Sequence, residues 1–127
     1  MAKIQISWGS SKVQASLLET ASAQALLDSL PCESRANTWG EEAYFKIPAD
    51  VELDADARQV VEPGTLCIWV EGQSLALPYG PTPISQGNEC RLISRVNVIG
   101  KLLEDPRILA SIHDGDLVRV EQLRDNP

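Results

Sequence analysis

The chain has 127 residues, 43% hydrophobic and 23% charged, with a formal charge of −7 from 18 acidic and 11 basic side chains. That length suits a single domain over 1–127 with a core of its own, and the composition excludes disorder, collagen and coiled coil. Lys and Arg are scattered singly along an acidic chain, so neither nucleic acid nor an anionic membrane surface is expected as a partner.

Strand-like alternation dominates from the start. Ile4, Ile6 and Trp8 share one face, Gly9-Ser10-Ser11 turns the chain, and Val13, Ala15 and Leu17 resume the apolar face. This period-two pattern predicts a half-buried antiparallel hairpin. The period changes over 20–30, where Ala23, Leu26, Leu27 and Leu30 fall on one helical stripe. Thr20 or Ser22 can cap that helix and Pro31 stops it. After Cys32 to Thr38 and the pair Trp39-Gly40, a strand runs from Glu42 to Ile47 and ends at Pro48. The acidic segment 48–63 reads as irregular, with only Val60-Val61 expected to pair. Strands follow near Leu66–Val70 and Leu75–Tyr79, then a long loop from Gly80 to Glu89, then a strand over 92–102. Asp105-Pro106 starts a short helix to about Ile112, because Asp caps and Pro takes the first helical position. Asp114-Gly115 turns the chain into a last strand, Asp116 to Gln122. The tally is about eight strands and two short helices. Strands in hairpins, without alternating helices, predict a mainly β fold, a closed β-barrel with helices over its ends.

The N-terminus has no continuous apolar h-region and the apolar runs stay near four residues, so neither a signal peptide nor a membrane span is expected. Cys32, Cys67 and Cys90 are odd in number and form no Cys-x-x-Cys pair, which predicts reduced thiols in a cytoplasmic protein. His113 is the single histidine, and no metal or other cofactor is expected. Asp50, Glu52, Asp54 and Asp56 alternate like a calcium loop. The required Gly and Glu are replaced by Ala55 and Val61, so a solvated acidic loop is expected. Glu41 and Glu42 are adjacent, hence on opposite strand faces, and cannot act as a paired acid and base.

Five segments stand out in order along the chain: Asn37-Thr38-Trp39-Gly40-Glu41-Glu42 with Tyr44-Phe45, Val60-Val61-Glu62-x-Gly64, Gly80-x-Thr82-Pro83-x-Ser85, and Val96-Asn97-Val98-Ile99-Gly100-Lys101. Asp114-Gly115 with Val118-Arg119-Val120 completes the set. Together they resemble the small prokaryotic cyclophilin-like proteins, a largely uncharacterised family with a cyclophilin-type barrel. Where the family tends to carry an acidic residue after the glycine and a Trp-Pro-Pro-Gly turn, this chain has Thr65 and Trp69-Val70-Glu71-Gly72. The resemblance implies a closed cyclophilin-like barrel. It invites a peptidyl-prolyl isomerase reading, but true cyclophilins place a catalytic arginine in a Phe-x-Arg strand. Here the only phenylalanine stands in Phe45-Lys46-Ile47. A typical isomerase is therefore not expected, and a non-standard one using Arg95 is the alternative.

Cyclophilin-type sites lie on the outer sheet surface. With Ala43, Phe45 and Ile47 toward the core, Tyr44 faces outward; with Val96 and Val98 toward the core, Arg95 and Asn97 do. The expected function is binding of a peptide segment or small molecule on that face. The candidate residues are Trp39, Glu41, Tyr44, Thr82, Ser85, Arg95 and Asn97. The plainer alternative is a polar surface with Trp39 packed over one end of the barrel.

Overall fold

The first hairpin forms as its alternation requires. In a computed structural model, which describes residues 2–124, strands β1 (Lys3–Trp8) and β2 (Ser11–Leu17) pair with Ile4 opposite Ala15 and Ile6 opposite Val13. All four side chains are fully buried. Helix α1 (Ala21–Asp28) is capped by Thr20, whose hydroxyl accepts from the Ala23 amide at 3.1 Å. It ends before the apolar stripe does: the Ser29 hydroxyl donates to the Leu26 carbonyl at 2.7 Å and closes the last turn.

Eight further strands follow: β3 (Cys32–Arg35), β4 (Asn37–Thr38), β5 (Glu42–Lys46), β6 (Arg58–Val61), β7 (Thr65–Trp69), β8 (Ser74–Pro78), β9 (Cys90–Leu102) and β10 (Leu117–Leu123). A 3-10 helix, Pro106–Ser111, precedes β10, and the Asp105 carboxylate accepts from the Arg107 amide at its start. Neither helix among the described residues is long and apolar enough to cross a membrane.

The strands pair in the order β3-β10-β1-β2-β9-β7-β8-β5-β4, every ladder antiparallel, with β6 attached to β9. This corrects the expected closed barrel of about eight strands: there are ten among the described residues, and the sheet is open. The physical reason lies in 32–38, which reads as one extended stretch. Its first half pairs with β10 and its second half with β5. Between them Ala36 donates to the Asp116 carbonyl and accepts from the Gly115 amide, both at 2.8 Å. The two edges of the sheet are thus successive pieces of one chain, joined covalently at a corner, and no ladder runs between them.

The sheet has an apolar cluster on each face. The larger, inside the curve, contains Ile4, Ile6, Phe45, Leu66, Ile68, Leu75, Leu77 and Ile99, with Leu26 of α1 over it. The smaller lies outside, where Val61 and the first half of β9 (Cys90, Leu92, Val96) cover Cys67 and Ala76. Tyr44, Trp69 and Val98 pack at its margin. Val96 and Val98 therefore belong to the outer cluster, not to the inner core the alternation suggested. The residue between them is turned inward. Asn97 stands opposite Ile68 and is fully buried, which corrects its expected outward direction. A strand apolar on both faces carries no parity signal for which face is inner.

Candidate functional site

A cavity of about 160 Å³ opens on the outer face, against the smaller cluster. Tyr44 and Glu42, alternate residues of β5, project into it from one side. Trp69, at the end of β7, and Leu92, Ile93 and Val96 of β9 line the other walls. Trp39 completes it from the turn before β5.

Each aromatic wall is fixed by its local backbone. The Trp39 amide donates to the Glu42 carbonyl at 3.0 Å, and the Glu41 amide to the Pro81 carbonyl at 2.9 Å. Gly40 sits between them at φ +60°, and a Cβ there would come within 2.8 Å of both Thr82 Cα and Pro83 Cδ. Only glycine lets the 81–83 segment press this closely on the turn that carries Trp39. Trp69 is tied by its indole N–H, which donates to the Ser94 hydroxyl at 3.1 Å. Tyr44 meets Trp69 edge to face, ring centroids 5.8 Å apart and planes at 89°. That arrangement sets the positive edge of one ring against the negative face of the other.

Glu42 is the chemically distinctive member. It is only 7% exposed, and no donor among the described residues bonds its carboxyl oxygens. Burial raises its pKa from 4.5 to about 7. A carboxyl in an apolar setting resists ionisation because its charge loses hydration without gaining a partner. Behind the same wall Cys67 and Cys90 are buried free thiols. Burial first and then the Glu42 charge push the Cys67 pKa up; burial, then Glu62, Glu41 and Glu42, raise that of Cys90 to about 11. Both thiols stay protonated and act as packing.

Of the candidates named from sequence, the cavity brings together Trp39 and Tyr44. Glu41 turns away, its carboxylate accepting from Arg107 Nη1 at 2.6 Å, while that guanidinium lies 5.4 Å from the centre of the Tyr79 ring. Thr82 and Ser85 fasten the 80–89 loop. The Thr82 hydroxyl donates to the Arg91 carbonyl, and Ser85 Oγ accepts from the Thr82 and Arg91 amides at 2.9 and 3.1 Å. Arg95 is exposed on β9 and does not line the cavity, which leaves a displaced-arginine isomerase without its cation at this site. Asn97 works on the other face: Oδ1 accepts from the Asp54 amide at 2.8 Å, and Nδ2 donates to Ser22 Oγ at 3.0 Å and the Glu52 carbonyl at 2.8 Å. It pins the 52–54 loop to α1 and β9. The residues missed, Glu42, Trp69, Leu92, Ile93 and Val96, had one sequence signal. Leu66-Cys67-Ile68 and Leu75-Ala76-Leu77 are unbroken apolar runs, the mark of strands covered on both faces.

A family model described as Cyclophilin-like matches residues 2–121. A hypothetical protein from Archaeoglobus fulgidus, known from a solution structure, is 33% identical, with a TM-score of 0.81 over 96% of this chain and 95% of that one. Among curated proteins no sequence matches the chain.

Proposed function

The chain belongs to the cyclophilin-like family, and from that premise we propose that it is a binding module whose outer-face cavity takes a side-chain-sized group of a peptide segment or small molecule. The observation that carries this reading is the cavity itself: three aromatic residues, Trp39, Tyr44 and Trp69, converge on one carboxyl, Glu42, that accepts no hydrogen bond from the described residues. Apolar walls with few placed polar groups are the usual make-up of a ligand site. At about 160 Å³ the cavity is smaller than the roughly 300–1,000 Å³ of drug-sized sites, so it suits one short group. The three free thiols support a reducing compartment, and we assign the protein to the cytoplasm.

The test is a screen of small fragments and short peptides read by the indole N–H signals in a two-dimensional NMR spectrum. Trp8 serves as an internal control, because its N–H is bonded to Ser111 outside the cavity. Ligands are expected to move the Trp39 and Trp69 signals and leave Trp8 in place. A screen whose hits all map to the 80–91 segment, with both cavity indoles unmoved, would overturn the reading.

A further inference from the structure

The cavity carries a single carboxyl, Glu42, on an otherwise aromatic and aliphatic wall. Glu42 is more than nine-tenths buried, lines the cavity, and receives no hydrogen bond from the described residues. None of the other lining residues carries a positive charge, and the Trp69 N–H is already committed to Ser94. No side-chain oxygen fully closed to solvent lacks a partner among the described residues, so the unbonded Glu42 oxygens open into the cavity, and a carboxylate on so apolar a wall is complementary to something that brings charge and donors with it.

We propose that the cavity binds an organic ammonium ion that carries N–H donors on a short apolar stem, with its charge against the Glu42 carboxylate. The inference rests on the reading of the cavity as a binding site and names its ligand class. Three features select this chemistry. Trp39, Tyr44 and Trp69 offer aromatic surface, which attracts a cation through the ring quadrupole and accepts a methylene stem by dispersion. The two Glu42 oxygens need donors, which a primary ammonium supplies and a quaternary one lacks. An anionic group would meet Glu42 directly in a chain of net charge −7. A neutral alcohol would donate one hydrogen bond and leave the charge uncompensated. The same chemistry is presented by a free alkylamine and by the lysine side chain of a peptide.

Binding must also move a proton. With its pKa near 7, Glu42 is part-protonated at neutral pH, and an ammonium ion selects the ionised form. The proton leaves to solvent as the cation enters. Apparent affinity should therefore be flat above about pH 8 and fall about tenfold per unit well below pH 7, the slope of one linked proton.

The experiment titrates the full chain with n-butylammonium, Nα-acetyl-lysine methylamide, 1-pentanol and tetramethylammonium, read by the Trp39 and Trp69 indole signals and by calorimetry in two buffers of different ionisation enthalpy. We expect one or both N–H-bearing amines to bind at about pH 8 at least tenfold more tightly than pentanol or tetramethylammonium, releasing protons near pH 7. The amine that binds more tightly identifies the source. Glu42→Gln, checked by circular dichroism for retained fold, should abolish both the preference and the pH slope. Should that variant not fold, the pH slope and proton release of the unaltered protein decide the matter. Pentanol binding as tightly as the amines, or amine binding independent of pH, would overturn the inference while leaving the cavity a ligand site. Absence of any response to either amine, with other fragments still moving the indoles, would overturn it equally.

Discussion

The indole of Trp69 lies against the backbone of Gly72 so closely that a Cβ at position 72 would overlap its six-membered ring. Gly72 is not among the residues with positive φ, so its backbone accepts alanine without strain and the conflict is with the ring alone. Gly72→Ala should therefore swing Trp69 off its seat and break its edge-to-face contact with Tyr44. The expected stability loss is that of local overpacking, about 1–3 kcal/mol. Near-ultraviolet circular dichroism and the Trp69 indole signal should both change, and cavity ligands should bind more weakly. An unmoved Trp69 signal in a folded Gly72→Ala variant would show that the ring sits elsewhere.

Glu42 makes stability depend on pH in a direction opposite to that of a salt-bridged carboxylate. Its pKa is raised from 4.5 to about 7 by burial, so the folded chain holds a proton that the unfolded chain has released. Between those values unfolding releases a proton, and stability falls as pH rises. The stabilisation is fully present below about pH 4.5 and lost by about pH 7, a change of roughly 3 kcal/mol from one group. Urea midpoints measured across this window should decline for the native chain. In Glu42→Gln the decline attributable to this group should vanish, and a difference between the two proteins that stays constant with pH would refute the assignment.

The sequence made the strands legible wherever one face is apolar and the other polar. Alternation alone places Ile4, Ile6, Val13 and Ala15 in the core, and all four are fully buried. The same holds for Phe45, with Tyr44 on the opposite face of the strand. Where both faces are covered, alternation carries no such signal. Val96 and Val98 look like core residues and are apolar, but they cover the outer cluster, and Asn97 between them is an interior polar anchor. The candidate site suffered for the same reason. In the sequence Glu42 is only a neighbour of Glu41, because nothing local shows that β9 folds over the outer face and dries its surroundings. Closure is illegible too, since hairpin patterning does not say whether 32–38 meets its own edge by hydrogen bonds or by a covalent corner.

Ser85 should act on the loop and not on the cavity. Its hydroxyl oxygen accepts from two amides, Thr82 at 2.9 Å and Arg91 at 3.1 Å, and so ties 80–89 to the start of β9. Ser85→Ala removes this one acceptor and with it both bonds, an expected loss of about 1–3 kcal/mol. Hydrogen exchange at the Thr82 and Arg91 amides should accelerate. The Trp39 and Trp69 indole signals should keep their positions, and their movement would place Ser85 in the site instead of its support.

Asn97 separates the two faces of the sheet most sharply. Its side chain makes three hydrogen bonds, to the Asp54 amide, Ser22 Oγ and the Glu52 carbonyl, and it is fully buried. Asn97→Ala removes a fully buried side chain and leaves three partners without their bonds, and a loss of about 2–4 kcal/mol is expected. Phe45→Ala, in the inner core, should lose about 3–5 kcal/mol. Tyr44→Ala, on the partly exposed cavity wall, should lose less than either and should weaken ligand binding, which Asn97→Ala leaves intact once folding is corrected for. Chemical denaturation of the three variants gives the order. If Asn97→Ala stayed within ~0.5 kcal/mol of the unaltered chain, the value usual for a surface position, its side chain would belong outside, and the register of β9 against β7 would have to shift by one residue.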